Sequence, residues 1–199
     1  MLVDIVILPP NKIRNLVGQA IVKSVGNFKY VYIIDNKRLI PHISFFHINI
    51  DKRKLPIIFN IVKTHIKNYK PVKISSKNIF IDGNGIWISF ANHKSLINFN
   101  RKMVKYCAPL RDGMIPWIPK RLPTKLQKYN REKYGTHYCI GKGFVPHFTM
   151  VKLKNDVVAE VVGQRMKNIK FSFLSSTIAV CQINKYGQVT KVLKTFKLS

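Results

Sequence analysis

A six-residue pattern occurs twice in this chain, and it constrains the fold more than any other feature. Residues 41–46 read Pro41-His42-Ile43-Ser44-Phe45-Phe46, and residues 146–151 read Pro146-His147-Phe148-Thr149-Met150-Val151. Each copy is a proline, a histidine, an apolar residue, a hydroxyl residue and two more apolar residues. Successive side chains of a strand point to opposite faces, so His42 shares a face with Ser44, and His147 with Thr149. The apolar positions anchor the other face. A bare His-x-Ser/Thr is cheap in a chain with six histidines, but proline makes up only about 5% of ordinary sequence and precedes both copies.

The surroundings repeat with the motif. The two histidines, His42 and His147, stand 105 residues apart, and the same offset relates Asp51 to Asp156, each placed to cap a helix. After Asp51, Ile57, Ile58, Ile61, Val62, Ile66 and Tyr69 mark one helical face. The matching set after Asp156 is Val157, Val158, Val161, Val162 and Met166. Strand-like runs broken by turns follow in both halves, at Asp82-Gly83-Asn84-Gly85 and at Lys185-Tyr186-Gly187-Gln188. Upstream, a helical stretch over 11–25 falls opposite one near 121–133. Self-similarity at a fixed offset is architectural information. It predicts one two-lobed domain over 1–199, with half-repeats of about 1–108 and 109–199.

In order, Leu2–Leu8 reads as a buried strand ended by Pro9-Pro10. Asn11 then caps a helix that turns Ile13, Leu16, Val17, Ala20 and Ile21 inward. A strand over 28–34 and a turn at Asp35-Asn36-Lys37 lead into the first motif. Pro56 suits the first turn of the next helix. Val72–Ile81 and Ile86–Ala91 form a hairpin, and a helix with Leu96, Ile97, Phe99, Met103 and Tyr106 follows.

Thirty-five basic residues against eight acidic ones give a net charge of +27, which favours a polyanionic partner such as RNA or an oligonucleotide. The few acids are scattered, whereas divalent-metal phosphodiesterases need clustered Asp, Glu and His ligands. Phosphoester chemistry here is expected to run with no metal and no cofactor. Cys107, Cys139 and Cys181 form no Cys-x-x-Cys pair and read as buried free thiols of a reducing, cytoplasmic compartment. The N-terminus lacks the basic start of a signal peptide. No apolar run approaches the roughly 18 residues of a membrane span.

Composition changes between residues 109 and 145. Pro109, Pro116, Pro119 and Pro123 stand among Arg111, Arg121, Arg131 and several lysines, interleaved with Trp117, Tyr129, Tyr134, Tyr138 and Phe144. Cations that follow phosphates and rings that stack on bases are what a groove for single-stranded nucleic acid uses. Trp117, Arg121, Tyr134 and Tyr138 are therefore candidate substrate contacts, together with Phe46 and Val151 at the ends of the motifs.

Two histidines facing each other across a cleft can serve one phosphate as base and acid, because an imidazole titrates near 6.5. The hydroxyls of Ser44 and Thr149 can donate to non-bridging oxygens, where charge builds in the transition state. On a ribose 2′,3′-cyclic phosphate, one histidine activates water and the other protonates the departing ribose oxygen. His47, an odd number of residues from His42, is expected on the opposite face. His65, His93 and His137 read as core or surface residues.

These two motifs, in an α+β chain of this size, resemble the two-histidine (2H) phosphoesterase superfamily, which includes the LigT-like RNA cyclic phosphodiesterases, long called 2′-5′ RNA ligases. The resemblance implies two pseudo-symmetric lobes, with antiparallel sheets around a central cleft and helices outside. It also implies that His42, Ser44, His147 and Thr149 are the catalytic set, with His147 as base and His42 as acid. The implied substrates are RNA 2′,3′-cyclic phosphate ends or 2′-5′-linked oligonucleotides. Cyclic di- or oligonucleotide immune signals are an alternative, and a non-catalytic basic RNA-binding protein on the same scaffold is another.

Overall fold

A computed structural model of the chain describes residues 1–67, 69–116, 124–136, 140 and 143–198. The first strand, β1 (Leu2–Ile7), ends at the two prolines, and α1 (Asn11–Val25) begins directly after them. There Pro10 occupies the cap position with no side-chain bond, so Asn11 opens the helix rather than capping it. Then come β2 (Tyr30–Ile33), β3 (Ile43–Asn49), a 3₁₀ turn at Lys52–Lys54 and α2 (Leu55–Ile66). Asp51 caps that 3₁₀ turn by accepting from the Arg53 amide, and Pro56 sits in the first turn of α2, where its missing N–H costs nothing. The hairpin β4 (Lys73–Asp82) and β5 (Gly85–Phe90) leads to α3 (Lys94–Cys107), and α4 (Lys125–Tyr134) follows.

Beyond α4 lie β6 (His147–Leu153), α5 (Asp156–Met166), β7 (Ser172–Leu174), β8 (Thr177–Ile183) and β9 (Val189–Lys197). Here the expected cap shifts by one residue. Asn155 accepts from the Val158 amide, and Asp156 is the first helical residue, where its charge still complements the helix dipole.

The strands form two antiparallel sheets, ordered β3-β1-β8-β9 and β2-β6-β5-β4-β7. Each motif strand therefore shares its sheet with the hairpin of the opposite half. Among the helices, α2 and α3 cover the four-stranded sheet, while α5 covers the five-stranded one and α1 packs against α5. Strand β1 shows why this architecture closes. Its odd residues Val3, Ile5 and Ile7 enter the main core with Phe99 and Phe148. Val6, and Leu8 just beyond the strand, join a second cluster with Ala179, Cys181, Ile183 and Val189 on the other face. The two sheets are tied by Tyr32 of β2, whose ring meets that of Tyr186, in the turn between β8 and β9, with centroids 5.3 Å apart. This is the α+β arrangement of two antiparallel sheets with outer helices that the family resemblance implied.

Cys107 and Cys181 are buried free thiols. Burial raises the pKa of both, to about 12 at Cys107 and further at Cys181, so neither offers a thiolate. Cys139 lies outside the described residues. No described helix is long and apolar enough to cross a membrane.

The loop that delivers the first motif rests on α1. Asp35 Oδ1 accepts from the amides of Lys37 and Arg38 at 2.9 Å and of Leu39 at 3.3 Å. Residue 18 of α1 must be glycine for this loop to sit down, because a Cβ there would meet the Asp35 carbonyl oxygen at 2.6 Å and its carbon at 2.8 Å. Alanine is the better helix former by about 1 kcal/mol, yet backbone atoms cannot step aside as a side chain would. Gly18→Ala is expected to lower stability by about 1–3 kcal/mol, read from the urea midpoint; a rise in the midpoint would show that the loop is free to move.

Candidate active site

Both motif histidines are held by the same bond. His42 Nδ1 lies 2.7 Å from the Ile40 carbonyl oxygen, and His147 Nδ1 lies 2.8 Å from that of Val145. A carbonyl only accepts, so each Nδ1 carries a proton, and in the neutral imidazole each Nε2 is left with its lone pair. The intervening residue is a proline in both cases. Proline fixes its own φ and holds the preceding residue extended, which presents that residue's carbonyl to the imidazole. The proline of each motif is thus part of the device that sets the tautomer.

Next in each strand comes an irregularity that simple alternation does not foresee. Strand β3 pairs with β1 as Val6↔Ser44 and then Ile5↔Phe46, leaving Phe45 as an extra residue. Strand β6 pairs with β5 as Trp87↔Thr149 and then Ile86↔Val151, leaving Met150 extra. The two β-bulges fall at the same place in the repeat. Each turns two consecutive apolar residues inward and reverses the phase of everything after it. Phe46 and Val151, expected to meet substrate, are consequently core residues. In their stead, His47 joins the face of His42 and Ser44, and Lys152 joins the face of His147 and Thr149.

His47 thereby corrects its own expected placement, because it now stands across from Asp4. Asp4, fully buried, was one of the scattered acids of the sequence and is the residue that sequence reasoning missed. Its Oδ2 accepts from the Ser44 hydroxyl at 2.6 Å, lies 3.0 Å from His47 Nε2 and faces His42 Nε2 at 3.7 Å. The signal that could have found it is a lone carboxylate inside an otherwise apolar strand, since a charge is buried only with partners.

Ser44, His47 and Asp4 do not make a nucleophile triad. Ser44 Oγ is 3.2 Å from His47 Nε2, the same nitrogen that Asp4 contacts. A triad needs the carboxylate on the far nitrogen, leaving the near one to take the serine proton. The Ser44 proton is instead held by Asp4.

Burial lowers the pKa of His42 below its ordinary 6.5; the charge of Asp4 opposes this, while positive charge on His47 or His147 adds to it. Burial likewise lowers His147, and its bond to Val145 opposes this; Asp4 Oδ2 stands 3.7 Å from His42 Nε2 and makes no ion pair with His147 among the described residues. The carboxylate thus breaks the symmetry of the pair: it favours a proton on His42 more than on His147.

The hydroxyl of Thr149, half-buried beside His147, makes no hydrogen bond to another described residue. Tyr134 ends α4 and packs against the core and the ring of Tyr129. Trp117, Arg121 and Tyr138 lie outside the described residues.

No family model matches the sequence, and no curated protein matches it. Solved structures do. TT0787 of Thermus thermophilus superposes with a TM-score of 0.63 at 13% identity, over 100% of this chain and 98% of that one. E. coli LigT, crystallised with 3′-AMP, superposes with a TM-score of 0.50 at 10% identity, over 99% of this chain and 97% of that one. At such identities the likeness is one of fold, and it runs from end to end.

Long-range ¹H–¹⁵N spectra at pH 8 should show His42 and His147 both protonated at Nδ1. Their titration midpoints should lie below 6.5, in keeping with the depression of both groups by burial. A proton on either Nε2 at that pH would overturn the assigned geometry.

Proposed function

We propose that this chain, built on the two-histidine phosphoesterase fold it shares with LigT, is a phosphodiesterase acting on RNA. Its substrates are 2′,3′-cyclic phosphate ends or 2′-5′-linked oligonucleotides, cleaved without a metal ion. One observation carries the reading: two imidazoles, each locked through Nδ1, present bare Nε2 atoms from matched strands of the two sheets. A pair of this kind suits in-line displacement at phosphorus, which needs a base on one side and an acid on the other. The net charge of +27 supplies the field that draws a polyanion to it.

The position of Asp4 supports a division of roles. The carboxylate 3.7 Å from His42 Nε2 stabilises an imidazolium there, so His42 is the acid and His147 the base. In the forward step His147 Nε2 takes a proton from water as the water oxygen bonds to phosphorus. The bond from phosphorus to one ribose oxygen breaks, and His42 gives its proton to that oxygen. A ribose phosphomonoester and its free neighbouring hydroxyl result, with the proton now on His147 and returned through solvent. Thr149, whose hydroxyl has no partner among the described residues, donates to a non-bridging oxygen. Ser44 joins it by exchanging its bond to Asp4.

The test is turnover in excess EDTA of an RNA ending in a 2′,3′-cyclic phosphate, beside a 2′-5′ oligoadenylate and a cyclic dinucleotide. His42→Ala and His147→Ala are each expected to reduce kcat by about 10²- to 10⁴-fold. Tight RNA binding with no turnover of any substrate would sink the enzymatic reading.

A second test concerns pH. Activity should rise as His147 loses its proton and fall as His42 loses its own. Asp4→Asn removes the negative charge that raises the pKa of His42, so less of His42 is protonated at a given pH and the descending limb moves to lower pH. An unmoved descending limb would detach Asp4 from the acid.

A further inference from the structure

The face that carries His147 also carries an aromatic ledge. Phe80 pairs with Trp87 across β4 and β5, and Trp87 pairs with Thr149, as Ser89 does with His147, across β5 and β6. Paired residues share a face, so Phe80, Trp87 and Thr149 form one row, directly beside Ser89 and His147. The phenyl of Phe80 lies nearly parallel to the indole of Trp87, with centroids 5.4 Å apart and planes 13° apart. Towards the reaction centre, its ring stands 6.2 Å from the imidazole of His147, inclined at 69°.

The ledge has been given room. Trp87 shares its face with residue 85, two positions back, and that residue is glycine. A Cβ there would come within 2.3 Å of the indole Cη2 and 2.8 Å of Cζ2 and Cζ3, so the indole lies directly across the glycine backbone. Phe80 rests on the indole and remains 38% exposed. A single exposed phenylalanine needs no explanation. A phenyl held parallel on a pinned indole, with its centroid 6.2 Å from one of the two motif imidazoles, is a flat and uncharged surface beside the proposed reaction centre.

We propose that Phe80, supported by Trp87, is the stacking platform for the nucleobase of the nucleotide whose phosphate lies between His42 and His147. This deepens the phosphodiesterase reading and rests on it. A flat apolar ring next to a phosphate position fits a nucleobase, because every base offers a π-face whatever its hydrogen-bonding edge. The platform therefore gives grip with little choice among the four bases. A bare phosphate or a ribose alone gains nothing from it.

The test uses Phe80→Leu, which keeps apolar bulk and removes the π-face at an exposed position. With adenosine 2′,3′-cyclic phosphate as substrate, kcat/KM should fall roughly tenfold to a hundredfold, mainly through KM. With base-free ribose 2′,3′-cyclic phosphate it should not change. Binding is read separately. The chain has two tryptophans, so Trp117→Phe leaves Trp87 as sole reporter. Adenosine 2′,3′-cyclic phosphate should quench it in a His42→Ala background and do so at least tenfold more weakly once Phe80→Leu is added. Gly85→Ala, which forces the indole off its glycine, should weaken binding in the same direction. Quenching without turnover in the parent would keep the platform and fail the phosphodiesterase reading. Turnover that is indifferent to Phe80→Leu, or equally reduced for the base-free substrate, would overturn the platform and leave the reading standing.

Discussion

The bond from each imidazole Nδ1–H to the carbonyl two residues back governs the rest of the site. It is short-range, made within a Xaa-Pro-His tripeptide, and it asks nothing of the partner lobe. Its consequence is nevertheless long-range, because a histidine locked at Nδ1 has one remaining nitrogen and one direction in which to use it. Two such tripeptides lead into strands of two different sheets, and their imidazoles lie close enough for a charge on His147 to act on His42. The role of proline in the motif is to set the acceptor, not to end a strand.

What the symmetric motif makes equivalent, Asp4 makes different. A buried carboxylate on β1 serves Ser44, His47 and His42 from one oxygen, and nothing on the side of His147 mirrors it in the described residues. One of two like imidazoles is thereby favoured as the carrier of a proton. Acid–base catalysis by a histidine pair needs that inequality, since two histidines in the same protonation state cannot give and take at once. The opposite side carries the aromatic ledge instead. The two faces of the cleft thus divide between charge control and flat apolar contact.

The bulges connect these observations. Without an extra residue at Phe45, His47 would point away from Asp4; without one at Met150, Val151 would face the cleft where Lys152 now does. That both fall at the same repeat position shows the duplication extending below the level of sequence motif, into strand geometry. The exchange of hairpins between halves has a similar meaning. Strand β5 reaches β6, and β8 reaches β1, so neither half completes its sheet alone.

Much of this was legible in the residues. Repetition of Pro-His-x-Ser/Thr located both imidazoles, and apolar periodicity with turn glycines placed the helices and hairpins, because those signals are local. Alternation also foresaw the pairing of His42 with Ser44 and of His147 with Thr149 on one face. It failed within two residues of each hydroxyl, at Phe46 and Val151, because a bulge is fixed by the fit between neighbouring strands and leaves no mark of its own in the period of a single strand. Asp4 and Phe80 were silent for a related reason: the imidazoles they approach, His42 and His47 for Asp4 and His147 for Phe80, come from strands distant in sequence. Which two histidines carry the repeated motif follows from the chain alone, and each is held by a contact spanning two residues. What surrounds them follows from the folded arrangement, because strand order and register, not chain proximity, bring a carboxylate to one imidazole and an aromatic ledge to the other.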